Sequence, residues 1–225
     1  MNIIQKLLKI TMKNQADLIN FIIEKYKFDS YLEIGVYIPA NNFDKIKVAL
    51  KHSVDNNRDG YGLYTHWMDS DYFFENYVKD QKYDVIFVDG MHTAKQSYKD
   101  VINSINCLND NGFIIMHDCN PELEEHTISY NEFKINSEKW GNVYKGDWNG
   151  DVYKAFIQLK NELKDWSCFC INSPVYCGIL TERNILKNIQ AENIDTKNIT
   201  WEIFNKNRKE LLQIISAEEF EEILK

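Results

Sequence analysis

The sequence predicts an α/β fold on a parallel sheet, and three observations carry the prediction. Two short apolar, β-branched runs, Tyr83–Val88 and Phe113–Met116, are each closed by polar residues, Asp89-Gly90 and His117-Asp118. Between them Val101, Ile105 and Leu108 recur at helical spacing, with Ile102 widening the stripe. A third run, Tyr31–Ile34, closes at Gly35 in the same way. Strands joined by helices pair in parallel, and such sheets bind ligands outside the carboxyl ends of their strands. Asp89, His92, His117 and Asp118 are therefore expected to converge on one edge.

Each element follows from its local pattern. Residues 1–27 read as helical in two pieces, the second capped at Asn14 and presenting Leu18, Phe21, Ile22 and Tyr26. After the Tyr31–Ile34 strand, Phe43–Leu50 is expected to be a helix, His52–Val54 a brief strand ending at Asp55, and Tyr61–Thr65 a third strand. Ser70 or Asp71 caps a helix carrying Phe73, Phe74 and Tyr77. Beyond Met116, residues 120–150 are polar and nearly featureless, a length that points to a functional loop. Asp151 caps a helix through Leu163. Trp166–Ile171 and Val175–Leu180 read as late strands, and residues 183–225 as a charge-rich helical tail anchored by Phe204, Leu211, Ile214, Ile215 and Phe220. The tail either covers the site or makes a homodimer. No linker divides the chain, so 1–225 is expected to be one domain, with N-terminal helices (1–27), a core (28–182) and the tail (183–225).

Composition narrows the function. A net charge of -8 over 225 residues argues against a general nucleic-acid or anionic-membrane binder. No apolar run approaches the roughly 18 residues of a membrane span. The start, MNIIQKLLKI, has too short an apolar core for a signal peptide and no small-residue cleavage site. Five cysteines without framework spacing indicate reduced thiols and a cytoplasmic setting. Cys168 and Cys170 alternate on one strand and pack in the core. The Asn198-Ile199-Thr200 sequon is then a coincidence.

Acids end the first two strands, Glu33 and Asp55, 22 positions apart. An acid at about that distance hydrogen-bonds ribose hydroxyls in nucleotide-binding α/β folds. Gly35 lets the backbone approach a ligand closely. Neither G-x-G-x-x-G nor G-x-x-x-x-G-K-S/T is present, which excludes a pyrophosphate or triphosphate cradle. A nucleoside cofactor without phosphate, such as S-adenosylmethionine, fits better.

YLEIGV (31–36), SVD (53–55), DSDYFF (69–74), VDGMH (88–92), Asp100 and HDCNP (117–121) stand in an order that resembles class I S-adenosylmethionine-dependent methyltransferases. Within them the chain resembles bacterial sugar O-methyltransferases of the macrocin O-methyltransferase type, with NGDVYKAF (149–156) adding to the likeness. The resemblance covers residues 28–182 and implies a Rossmann-like sheet with helices on both faces. It implies Glu33, Gly35 and Val36 on the methionine side of the cofactor and Asp55 on the ribose. Asp69 and Ser70 would lie near the adenine and Asp89 beside the sulfonium. The implied acceptor is a sugar or sugar nucleotide of surface-polysaccharide or natural-product biosynthesis. The chain departs from the family after Gly35, where Tyr37, Ile38 and Pro39 stand.

Methyl transfer to a hydroxyl needs the oxygen held roughly 3 Å from the methyl and its proton removed. Two routes are open. Either His92 or His117 takes the proton beside Asp89, or Asp89 and Asp118, with Asn120, hold a divalent cation such as Mg²⁺ that acidifies the hydroxyl. His66 and His126 are expected to face solvent. Trp140 and Trp148 either pack or stack on a sugar, and Lys134, Lys139 and Lys145 either meet a phosphate or face solvent. Two rival readings remain. One is a cofactor-binding protein without turnover. The other is a metal phosphohydrolase using His92, His117-Asp118 and Asp151, which would require a helical bundle.

Overall fold

The computed structural model describes residues 12–57, 63–140, 148–172, 174–191, 194 and 198–225, the side chains of 137–140 excepted. The first helical piece, the start of the Tyr61–Thr65 run, and the side chains of Lys139, Trp140 and Lys145 lie outside these described residues.

Seven strands form one sheet in the order β3-β2-β1-β4-β5-β7-β6. β1 (Ser30–Ile34), β2 (Leu50–Asp55), β3 (His66–Trp67), β4 (Tyr83–Val88) and β5 (Leu108–Met116) run parallel. β7 (Cys177–Thr181) is antiparallel to β5 and to the edge strand β6 (Ser167–Ile171). The chain winds outward from β1 in one direction and then from β4 in the other. The ends of β1 and β4 therefore flank the switch point, where open α/β sheets hold ligands.

Strand alternation divides the core. In β4, Val85 and Phe87 enter one layer and Ile86 and Val88 the other. The first layer is closed by α1 (Gln15–Tyr26), through Leu18, Ile19, Ile22 and Ile23, and by Phe220 of α7 (Ala217–Ile223). Asn14 caps α1 by accepting from Asp17 N–H, as its sequence position predicts. The second layer is closed by α3 (Ala94–Asn106), α5 (Val152–Glu162) and α6 (Trp201–Leu212). Each large apolar side chain buried this way contributes on the order of 1.5–3 kcal/mol. Cys168 and Cys170 share the second layer, and all five cysteines are free and buried.

Several elements differ from expectation. Phe43–Leu50 is not an α-helix; Pro39–Asn41 and Phe43–Lys45 are single 3₁₀ turns. β2 begins at Leu50 and so takes the end of the stretch expected to be helical. Asn41 and Asn42 are also poor helix formers. The third strand is His66–Trp67 instead of Tyr61–Thr65. Asp69 precedes α2 (Ser70–Asn76) as its N-cap, without a side-chain bond, in place of Ser70 or Asp71. Leu108 opens β5 instead of closing α3. The stretch 120–150 carries a 3₁₀ turn at Glu124–Thr127 and α4 (Tyr130–Trp140). His66 is half-buried between Phe73 and Tyr77, with ring centroids at 4.8 and 5.4 Å, and does not simply face solvent.

Among its described residues, the tail is helical at α6 and α7. Ahead of them, Asn188 Nδ2 donates to the carbonyls of Lys160 and Leu163 at the end of α5, at 2.9 and 3.0 Å. Among the described residues no helix is long and apolar enough to cross a membrane.

Candidate active site

Four side chains meet where β4 and β5 end. His117 and Asp118 follow Met116 directly, while Asp89 follows Val88 and His92 precedes α3. His92 Nδ1 is 2.9 Å from Asp118 Oδ2, and His92 Nε2 is 3.7 Å from Asp89 Oδ1. His117 Nδ1 lies 3.2 Å from Asp89 Oδ1 and 3.1 Å from Asp118 Oδ1, within ion-pair range but without the alignment of a hydrogen bond. The convergence expected from the sequence is present. A cavity of about 10 Å³, room for a single water or ion, is lined here by Asp89, His92, His117 and Asp118 among others. Because His117 and Asp118 stand on a strand end, the helical projection a phosphohydrolase needs is not met.

The charges hold one another. Burial opposes ionisation of Asp118, but His117 and then His92 override it and keep its carboxyl well below the usual range. Burial would lower both imidazoles. Asp118, followed by Asp89, instead raises His92 to about 9, and Asp89 and Asp118 raise His117 well above its ordinary value.

His92 has a fixed tautomer. Its Nδ1 faces Asp118 Oδ2 and, at 2.8 Å, the carbonyl of Trp148. Both partners only accept, so Nδ1 carries the proton and Nε2 is the basic nitrogen of the neutral ring. The Trp148 ring is stacked between His92, at 4.7 Å, and Phe133, at 4.8 Å. These two stacked contacts are the packing role of Trp148. Sequence reasoning did not find Trp148 O or Asn149 as partners of the cluster, although NGDVYKAF was singled out.

At the cofactor half, Gly35 has φ +80°, and a Cβ there would stand 2.1 Å from the carbonyl oxygen of Asp89. The close approach it permits is to the backbone of Asp89 and Gly90. Asp55 Oδ2 accepts from Val36 N–H and Tyr37 N–H, each at 2.7 Å, and Oδ1 from Asn57 N–H at 2.7 Å. Successive backbone N–H groups form an anion nest. Asp55 fills it, so the Val36 and Tyr37 amides are not available to a phosphate. A carboxylate offers about four acceptor positions, and one remains for a ribose hydroxyl. Asp55→Ala is expected to weaken S-adenosylmethionine binding by roughly 1–3 kcal/mol, through the lost acceptor and the released loop. Calorimetric titration of the folded variant checks this, and unchanged affinity removes Asp55 from the site.

Glu33 does not face the cleft. It is 1% exposed, accepts from Tyr31 Oη at 2.5 Å and Asn42 Nδ2 at 2.9 Å, and shares the layer behind β1 with Tyr31. Burial, aided by Asp89, pushes its carboxyl from the ordinary 4.5 up to about 8, against the pull of the Tyr31 and Asn42 bonds. The folded state thus keeps a proton that the unfolded chain loses. Its stabilising share is full below about 4.5 and is lost as pH rises through about 8. Glu33→Gln should flatten the decline of Tm across that window, and an unchanged pH profile would refute the assignment.

Asp69 accepts from Asn56 Nδ2 beside the end of β2, and Ser70 Oγ lies 3.3 Å from Gln96 Nε2. Behind them Asp100 is buried, and burial, opposed by bonds from Ser70 and Gln96, raises its carboxyl to about 6. Asn120 is turned away from Asp89 and Asp118. Its Oδ1 accepts from Arg208 Nη1 at 2.9 Å and its Nδ2 donates to Asn172 Oδ1 at 3.3 Å, so it does not complete the expected metal set. The three residues whose donor atoms gather within 4.8 Å are Asp89, His92 and Asp118. Two carboxylates and an imidazole fit a divalent cation that takes nitrogen as well as oxygen.

Residues 40–119 match a family model described as a methyltransferase domain. No curated protein matches the chain. The chain is similar to the SAH-bound methyltransferase PaMTH1 from Podospora anserina, at 14% identity over 76% of this chain and 78% of that one, with a TM-score of 0.49. It is similar to an O-methyltransferase from Bacillus cereus in complex with SAH, at 10% identity over 79% and 86%, with a TM-score of 0.48. It is also similar to the O-methyltransferase TomG from Streptomyces achromogenes, in complex with SAM, at 8% identity over 75% and 80%, with a TM-score of 0.48. The fold assignment rests on the strand order and not on these likenesses. The sheet, in the order β3-β2-β1-β4-β5-β7-β6 with β7 reversed, is a Rossmann-like open α/β sheet, and the segment that matches the methyltransferase-domain model runs through the ends of β4 and β5.

Proposed function

We propose that the chain is an S-adenosylmethionine-dependent O-methyltransferase acting on a small hydroxylated acceptor, with His92 as general base. The observation that carries this reading is the fixed tautomer of His92, which leaves Nε2 as the basic nitrogen beside Asp89 at the switch point. The acceptor oxygen attacks the methyl carbon, the carbon–sulfur bond breaks, S-adenosylhomocysteine leaves, and the hydroxyl proton passes to His92 Nε2. Asp118 orients His92. Asp89 and Asp118 favour the charged form of His117, which balances the acids. Asp55 and the loop it pins hold the ribose side, and Asp69 and Ser70 border the adenine. The five free cysteines suit a cytoplasmic enzyme.

A second reading is favoured by the three gathered donors. Asp89, His92 and Asp118 would hold a divalent cation, whose chemistry there would be to acidify the acceptor hydroxyl. Chelation separates the two, since it abolishes transfer only on the metal route.

The acceptor is proposed to be a sugar or sugar nucleotide, on the strength of the YLEIGV, VDGMH, HDCNP and NGDVYKAF likeness. Incubation with labelled S-adenosylmethionine and a panel of sugars, sugar nucleotides and phenols tests it. Label in a sugar supports the proposal, and label only in phenols overturns the sugar assignment.

A further inference from the structure

We propose that Asn149 is a positioning residue, whose carboxamide fixes the rotamer of Asp118 and, through it, the orientation of His92. The proposal rests on the reading of His92 as base and goes further by naming what holds that base in place. Asn149 Nδ2 donates to Asp118 Oδ1 at 2.6 Å, while Asp118 Oδ2 faces His92 Nδ1 at 2.9 Å. With Oδ1 hydrogen-bonded to the amide and Oδ2 in ion-pair contact with His92, the carboxylate cannot turn without losing one of the two contacts. Asp118 stands at φ +59°, in the left-handed region that aspartate tolerates better than most residues. The amide also engages the oxygen that lies 3.1 Å from His117 Nδ1, which leaves Oδ2 to His92.

Asn149 is itself held from four sides. Its N–H and that of Gly150 donate to the carbonyl of His126 at 2.9 and 3.0 Å. On the preceding residue, the Trp148 ring is stacked on His92, and its Nε1 donates to Ile128 O at 2.9 Å. Gly150, at φ +59°, packs so closely on His92 that a Cβ would stand 1.8 Å from its carbonyl oxygen. Asp151 Oδ1 accepts from Ala94 N–H at 2.6 Å and so caps the start of α3. The strap 148–151 is thus fastened to both sides of the cluster it supports, and Asn149 is its one side chain that reaches Asp118.

The reporter is the His92 Nδ1 proton. Donated to the Trp148 carbonyl and held beside the Asp118 carboxylate, it should exchange slowly and lie far downfield in the proton NMR spectrum of the unliganded protein, and it is assigned by its loss in His92→Gln. Asn149→Ala, and the isosteric Asn149→Asp that lacks the donor, should speed its exchange by roughly tenfold or abolish the signal, the scale of one hydrogen bond. If either fails to fold, the other is read, with Asn149→Ser in reserve. A folded variant with an unchanged signal, or a wild-type protein without the signal, overturns the proposal. No cofactor or acceptor enters this measurement, and titration of the same samples with S-adenosylmethionine tests the methyltransferase reading separately.

Discussion

His92→Gln is expected to lower kcat by roughly 10²–10⁴-fold, the usual share of a general base, while S-adenosylmethionine binding stays nearly unchanged. Glutamine keeps a donor where Nδ1 points but has no basic nitrogen in place of Nε2. The wild-type rate should rise with pH and level off above about 9, because Asp118 and Asp89 hold the free imidazole protonated below that. Steady-state kinetics across pH, beside a cofactor titration of the variant, checks both parts. A fully active His92→Gln, or a rate independent of pH, would remove His92 as the base. His117→Gln should change the cluster's charge balance without producing the same pH profile.

Gly35→Ala should be among the most destabilising single changes in the chain. An added Cβ would stand 2.1 Å from Asp89 O and 2.5 Å from both Asp89 C and Gly90 Cα, all of them backbone atoms that cannot swing aside. The φ of +80° adds its own cost for an L-residue. Together these place the loss at about 3 kcal/mol or more, within the range known for overpacking and strained backbone. At roughly 2–4 °C per kcal/mol for a chain of this size, Tm should fall by about 6–12 °C. Thermal unfolding followed by circular dichroism gives the answer. A variant melting with the wild type would mean that the ends of β1 and β4 are not packed as described.

The parts legible in the sequence were those with one dominant pattern. Tyr83–Val88 and the β5 residues Phe113–Met116 are apolar runs with abrupt polar ends, and they brought Asp89, His92, His117 and Asp118 together as expected. Phe43 and Ile46 looked helical because their spacing suits a helix face, yet the same two residues are buried equally well from 3₁₀ turns. Glu33 looked ligand-facing because it ends a strand. Strand alternation places it instead on the side of Tyr31, two residues earlier, and that parity was readable. Asn120 looked like a cation ligand because it follows Asp118 closely, but Arg208, 88 residues later in the chain, takes its side chain. Asn149 meets Asp118 across 31 residues, through a strap whose course no local periodicity encodes.

Calorimetric titration of the intact protein with S-adenosylmethionine tests the central claim most directly. Saturable binding of one molecule per chain is expected, with competition by S-adenosylhomocysteine and a clear loss of affinity in Asp55→Ala. A folded protein that takes up neither compound would contradict it.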